Sequence, residues 1–256
     1  MQNLKITLVQ PDIIWEDIQS NLKKYSEMLS EINETDVIIL PEMFTTGFSM
    51  HTEKLKESMD GISVNWMKKV AKEKQASVVG SLIINDGENV YNRAFWVFPD
   101  GKSEYYDKRH LFTMGQETEY YSQGKQKTIV EYKGWKFCPM ICYDLRFPVW
   151  SRNAEDYDVL IYMANWPSPR HHVWKNLLVA RAIENQSYCI GVNRVGSDGM
   201  GLSYLGNSGM VDAKGFADFM EQTEQLKTFE ISYSELHKFR KSFPLLPDRD
   251  AFQIIT

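Results

Sequence analysis

The stretch WKFCPMICYDLRFPVWSRN, Trp135–Asn153, decides how the rest of the chain reads. It carries two of the three cysteines, Cys138 and Cys142. Its first half is an apolar run of strand character. At Cys142 that run stops, and Pro148 stands where the first turn of a helix accepts proline. A strand–turn–helix elbow exposes the residue at its apex and leaves backbone N–H groups able to bind an oxyanion. Cys142 occupies that apex. Cys138, inside the strand, and Cys189, inside SYCIGVN, read as small buried hydrophobes.

Working outward, short apolar runs mark further strands. LKITLVQ (Leu4–Gln10) is the first, and DVIIL (Asp36–Leu40) suits a strand buried on both faces. Between them Ile18, Leu22, Tyr25, Leu29 and Ile32 recur at helical spacing, which makes a βαβ unit. A second helix covers about Val64–Lys74 and leads into SVVGSLII (Ser77–Ile84). YNRAFWVFPDGKSEYYDK reads as two strands around the turn Pro99–Lys102. VLIYMAN (Val159–Asn165) and SYCIGVN (Ser187–Asn193) are strands joined by a helix of about Val173–Asn185. A hairpin near Asp212–Gly215 leads to a last strand around Leu226–Ile231, and a charged, aromatic tail follows from Ser234. Strands alternate with both helices and hairpins, so the class is α/β with a mixed sheet; helices on one face and strands on the other would suggest a layered sandwich, with the number of layers left open by periodicity. No repeat, low-complexity segment or linker interrupts residues 1–256, so one domain is expected.

Composition narrows the function. Apolar residues are 43% and charged residues 25% of the 256, with a net charge of -5, which suits a globular protein and not a nucleic-acid binder. MQNLKITLVQPD has too short an apolar run for a signal peptide, and no segment has the length of a membrane span. Three cysteines without a repeated spacing argue against a disulfide framework. The reading is a reduced, cytoplasmic protein in which a thiol nucleophile persists. The five histidines and the absence of CxxC give no metal motif. His171 and His172 read as the polar start of a helix.

Functional groups in α/β sheets collect where strands end. Glu42 follows a strand directly, in VIILPEMFTTGF; Lys108 follows the aromatic strand in SEYYDKRHLF; Cys142 ends its own. A thiol reacts slowly until a base or a cation assists it. Glu42 has the chemistry of the base and Lys108 of the cation. Taken without further information, the two equally describe a buried ion pair.

LPEMFTTGF, YDKRHLF and CYDLRFPVW resemble, in the same order, the three signature blocks of the nitrilase (carbon–nitrogen hydrolase) superfamily. The similarity runs from the first strand through ANWP (Ala164–Pro167) and ARAIENQ (Ala180–Gln186) to the final hairpin. It implies an α-β-β-α sandwich, with Glu42 as general base, Lys108 as catalytic cation and Cys142 as nucleophile. It implies a second glutamate, placed at Glu117, seven residues before Gly124, to orient Lys108 and the substrate amide. The oxyanion would rest on Lys108 and the backbone N–H of Tyr143, and no metal or organic cofactor would be needed. It also implies pairing into a homodimer through the helix after Cys142 and the C-terminal tail, about 234–256, where Phe243, Leu245, Leu246 and Phe252 are apolar.

Within that superfamily, LPEMFTTGFSM, YDKRHLFTMGQE, YMANWPSPR and NRVGSDGMGLSYLGNS look most like the bacterial omega-amidases. This implies hydrolysis of the terminal amide of 2-oxoglutaramate or 2-oxosuccinamate to the 2-oxo acid and ammonia, through a thioester. An anionic substrate needs a cation, and Arg146, Arg170 and Arg194 are the candidates, with Arg146 read as a buried structural arginine paired with Asp144 or another acid. Trp166 is a candidate pocket wall. The rival readings are an amidohydrolase for N-carbamoyl compounds or other small amides, and a non-catalytic binding module with the same fold. A papain-like Cys–His pair has no histidine in a suitable context.

Overall fold

The computed structural model describes residues 2–254. The strands form two six-stranded sheets and one small ribbon. The first sheet contains β1 (Leu4–Gln10), β2 (Val37–Ile39), β3 (Ser77–Asn85), β4 (Val90–Val97), β5 (Ser103–Asp107) and β14 (Gln225–Ile231). The second contains β6 (Val130–Tyr132), β7 (Trp135–Ile141), β8 (Val159–Met163), β9 (Tyr188–Val192), β12 (Gly209–Val211) and β13 (Ala217–Phe219). The ribbon is β10 (Val195–Ser197) with β11 (Ser203–Leu205).

Both sheets have a parallel centre and antiparallel flanks. In the first, β1 pairs parallel with β2 and β2 with β3, while β14, β4 and β5 add antiparallel neighbours. In the second, β7, β8 and β9 run parallel, with β6 and β12 antiparallel outside them. Parallel centres need cover on both faces, and the strand alternation supplies it. Leu4, Ile6, Leu8, Val37, Ile39 and Val79 turn toward the second sheet and share a core with Phe137, Val159 and Ile161. Trp96 of β4 meets Phe137 of β7 with ring centroids 4.6 Å apart. The alternate residues Val9, Ile38 and Val78 face outward.

Helices cover the outward faces. Ile18–Ser30 presents Leu22, Tyr25 and Leu29, and Ile62–Lys74 presents Val64, Met67, Val70 and Ala71, to the first sheet. Asp17 caps the first helix by accepting from Ser20 N at 3.0 Å, which satisfies one free N–H of its first turn. His171–Asn185 lies on the second sheet through Trp174, Leu178 and Ala182. The result is the α-β-β-α sandwich, with the main core between the sheets. No helix among the described residues is long and apolar enough to cross a membrane.

Three features depart from the sequence reading. The residues after Cys142 form one tight 3-10 segment, Cys142–Arg146, and then only a four-residue helix, Pro148–Ser151, with Pro148 at its start. The sequence reading lacks β6, which pairs antiparallel with β7 across a turn where Lys133 and Gly134 have φ of 49° and 84°. The tail, read only as charged and aromatic, contains a helix, Tyr233–Ser242, capped by Ser232. Of the tail's apolar residues, Leu246 is buried while Phe243 and Phe252 are exposed; Ile255 and Thr256 lie outside the described residues.

Candidate active site

The chain just beyond four strands brings side chains to one place. Glu42 follows β2, Lys108 follows β5, Cys142 follows β7 and Asn165 follows β8. The first two come from one sheet and the last two from the other, so the site lies where the ends of both sheets meet.

Lys108 is at its centre. Its Nζ donates to Glu42 Oε1 at 2.8 Å and to both oxygens of Glu117, at 3.0 and 2.9 Å. All three side chains are buried, at 1% exposure or less. Burial alone pulls the Lys108 ammonium toward neutrality, but Glu117 and Glu42 together outweigh it and raise its pKa. Burial likewise pushes Glu117 above the ordinary carboxylate range, with Lys108 opposing. Two carboxylates around one ammonium form a cluster in which each buried charge has a partner, as burial demands. Glu117 lies within this cluster, whereas Glu119 is exposed. Gly124 is part of the frame. Its N–H donates to Lys108 O at 2.9 Å, and a Cβ there would stand 2.0 Å from Asp107 O.

A second layer fixes the carboxylates. Asn92 Nδ2 donates to Glu42 Oε1 at 2.8 Å and to Glu117 Oε1 at 3.2 Å. Ser81 Oγ donates to Asn92 Oδ1 at 2.8 Å, which fixes the amide orientation, and accepts from Met43 N at 2.8 Å. Phe112 N donates to Glu117 Oε2 at 2.6 Å. Asn165 N donates to Glu42 Oε2 at 2.9 Å.

Cys142 has φ of 44°, the left-handed region that non-glycine residues seldom occupy. Met43, just after Glu42, and Gln116, just before Glu117, share it with φ of 43° and 62°. Such residues cost about 1–3 kcal/mol each and persist where their surroundings hold them. At Cys142 the holder is Asp144. It accepts from Ile141 N at 3.0 Å, Tyr106 Oη at 2.8 Å, His110 N at 2.9 Å and His110 Nδ1 at 2.8 Å. His110 stacks on Phe147 with centroids 3.7 Å apart. The thiol lies beside Glu42 and Lys108, and burial, followed by the Glu42 charge, lifts its pKa well above the ordinary thiol value. At neutral pH the resting group is therefore a thiol.

These groups open into a cavity of about 660 Å³ bordered by Lys108, Cys142, Tyr143, Asn165, Trp166 and two arginines, Arg146 and Arg170. Arg146 corrects its sequence reading. Asp144 is fully engaged elsewhere, and the Arg146 guanidinium lies over the Trp166 ring at 5.0 Å. Arg170 lies over Phe112 at 5.6 Å. Among the described residues neither has a carboxylate partner at ion-pair distance. Arg194 is the structural arginine instead. It is fully buried and donates to Asp12 Oδ1 at 3.1 Å and to the carbonyls of Ile13, Val195 and Ser197. Trp166 does form part of the wall, held by Nε1 donating to Arg170 O at 2.8 Å.

Sequence reasoning missed Asn92, Asp144 and Asn165. Asn92 left one signal, an amide in an apolar strand, where asparagine is depleted. Asp144 stands in the short 3-10 segment that begins at Cys142 and Asn165 in a loop, where a polar residue draws no attention.

Comparison with known proteins places this geometry. The carbon-nitrogen hydrolase family matches residues 5–241. The chain is 44% identical to the omega-amidase YafV of Escherichia coli over 99% of its length and 100% of that protein. It is 34% identical to a 2-oxoglutaramate amidase of Bacillus subtilis, covering 95% and 96% of the two. A CN-hydrolase superfamily protein of Xanthomonas campestris, with an arsenic adduct in its active site, superposes with a TM-score of 0.97 at 42% identity, covering 99% of this chain and 100% of that one. With the sandwich, the buried Glu–Lys–Glu cluster and the cysteine at its strained elbow in one structure, the chain belongs to the carbon-nitrogen hydrolase family.

Proposed function

We propose that the protein is an omega-amidase, hydrolysing the terminal amide of a 2-oxo dicarboxylic acid monoamide such as 2-oxoglutaramate or 2-oxosuccinamate. The observation that carries the substrate class is the pair Arg146 and Arg170, two guanidinium groups in the cavity that Cys142 borders, neither with a carboxylate partner at ion-pair distance among the described residues. A cavity of that charge suits a small anion. The full-length relatives named for omega-amidase and 2-oxoglutaramate amidase activity support the same choice.

The steps follow from the cluster. The amide carbonyl sits over Cys142 with its oxygen toward Lys108 Nζ and Tyr143 N–H. Glu42 takes the thiol proton as Sγ bonds to the carbonyl carbon, because the resting thiol is too weak an acid to ionise alone. Lys108 and the Tyr143 N–H stabilise the oxyanion. The C–N bond breaks, Glu42 returns its proton to nitrogen, and ammonia leaves a thioester on Cys142. Glu42 then removes a proton from water, whose oxygen attacks the thioester; the C–S bond breaks and Cys142 regains its proton. Glu117 keeps Lys108 aimed and, with Asn92, holds Glu42 in register.

The test is ammonia release from 2-oxoglutaramate, glutamine and a simple aliphatic amide. Glutamine adds a cationic amine beside two guanidinium groups, and the aliphatic amide lacks the carboxylate. Each should lower kcat/KM by about two powers of ten or more. Equal turnover of all three rejects the omega-amidase reading and leaves the cysteine mechanism standing.

The protein is also proposed to act as a homodimer. Val149, Ile183, Phe216 and Phe243 are exposed apolar residues around the His171–Asn185 helix. Gly215 abuts Ile183, Gln186 Nε2 donates to Phe243 O, and Arg152 donates to Glu184 O, so the four share one side of the molecule. Light scattering of the native protein and of Phe216→Asp tests it: a monomer in both rejects the pairing.

A further inference from the structure

Asn165 has one group that the fold does not use. Its backbone N–H donates to Glu42 Oε2 at 2.9 Å, and its side-chain Nδ2 donates to the Glu42 carbonyl at 2.6 Å. A carbonyl only accepts, so the amide is fixed with nitrogen toward Glu42 and Oδ1 turned away from it. Oδ1 is buried and has no hydrogen-bond partner among the described residues. The residue itself is 5% exposed and borders the cavity together with Cys142, whose thiol points at the Asn165 carbonyl from 3.9 Å.

The loop that carries it is tied to Asn193 by hydrogen bonds. Trp166 N donates to Asn193 Oδ1 at 2.8 Å, and Asn193 Nδ2 donates back to Trp166 O and on to Gly206 O, each at 3.0 Å. A buried acceptor held in place without a donor is unfavourable. The residue that carries it touches the general base through its N–H and Nδ2 and the nucleophile through its carbonyl, and it borders the cavity that a primary amide would enter with two N–H donors.

We propose that Asn165 Oδ1 accepts a hydrogen bond from the substrate's amide nitrogen and is a substrate-positioning group for primary amides. The inference rests on the amidase reading above and deepens it. One N–H of the amide meets Oδ1, which turns the nitrogen lone pair toward the Glu42 carboxyl as the C–N bond breaks. The proton delivered by Glu42 completes ammonia, which still offers Oδ1 an N–H as it leaves. An ester of the same acid reaches the same thioester, but its alkoxy oxygen has no hydrogen to give. Asn165 therefore favours the amide over the ester.

The experiment compares kcat/KM for 2-oxoglutaramate and for the 5-methyl ester of 2-oxoglutarate in the native protein, Asn165→Ala and Asn165→Ser. Serine keeps a hydroxyl donor for the Glu42 carbonyl while withdrawing Oδ1. In both variants the amide-to-ester ratio should fall about tenfold or more. An equal loss on both compounds would assign Asn165 to holding Glu42 alone and overturn the inference, as would an unchanged ratio or the failure of both variants to fold. A native protein that turns over the ester but no omega-amide refutes the reading beneath it instead.

Discussion

Cys138 and Cys142 stand four residues apart on one strand and its end, and they differ in almost everything except the state of the thiol. Cys138 is fully buried in β7, level with Leu160 on β8 and, beyond it, with Cys189 on β9. Cys142 stands at the left-handed turn and borders the cavity. Burial is the largest influence on both and raises both pKa values. A perturbed pKa therefore does not separate the two. What separates them is company: Cys142 has a carboxylate and an ammonium beside it, and Cys138 has neither at hydrogen-bond distance among the described residues.

The largest predicted effect tests that contrast directly. Cys142→Ala removes the atom that bonds to the substrate and should lower kcat by at least about a thousandfold, with thermal unfolding still cooperative. Cys138→Ala and Cys189→Ala should keep ammonia release within about twofold of the native protein. Comparable activity losses in folded Cys138→Ala and Cys142→Ala would erase the distinction between the two sites.

Next comes the base. Glu42→Gln keeps the shape of the side chain but cannot take the thiol proton, and general-base catalysis contributes about a hundredfold to ten-thousandfold. We expect a loss of kcat in that range, measured by ammonia release at saturating substrate. Glu117→Gln should cost less, about tenfold to a hundredfold in kcat. Oε1 accepts from Asn92 and Lys108, and Oε2 from Phe112 N and Lys108. Either amide orientation thus sets a donor against donors and displaces the ammonium without removing it. A Glu117→Gln variant with native kcat would make that carboxylate only a counter-charge.

The two thiols were equally legible as strand residues, because an apolar run bounded by a turn is a local pattern. So were Glu42, the first charged residue beyond a buried strand, and Lys108, the residue next after a strand, together with the mixed α/β class that alternating β and α segments imply. Asn92, Asp144 and Asn165 were not. Their importance lies in contacts with residues 25 to 123 positions away, and no window of sequence contains both ends of such a bond. Arg146 was misread for a related reason. Asp144, two residues before it, is the nearest acid in sequence, yet the tight turn directs that carboxylate at backbone N–H groups, His110 and Tyr106. The helix Tyr233–Ser242 was obscured because its charged residues dominate and only Leu236 is buried.

The smallest predicted effect sharpens the comparison by showing where the two cysteines agree. Replacing Cys138 by alanine leaves a small cavity and should cost about 1 kcal/mol of stability near neutral pH. That deficit should vanish in alkali. In the unfolded chain the thiol ionises around its ordinary value near 9. In the folded protein burial raises the pKa, so the thiol keeps its proton there. The unfolded state then binds fewer protons than the folded one, and native stability falls as pH rises above about 9. At about pH 10 one such thiol contributes a loss of about 1.4 kcal/mol, which the alanine variant does not suffer. Urea midpoints of the two proteins should therefore differ at pH 7 and converge near pH 10. The sign is the same for Cys142→Ala, whose thiol is also raised. A constant gap between Cys138→Ala and the native protein across that range would mean that the Cys138 thiol titrates as it does in water, and the shared effect of burial on both thiols would be lost.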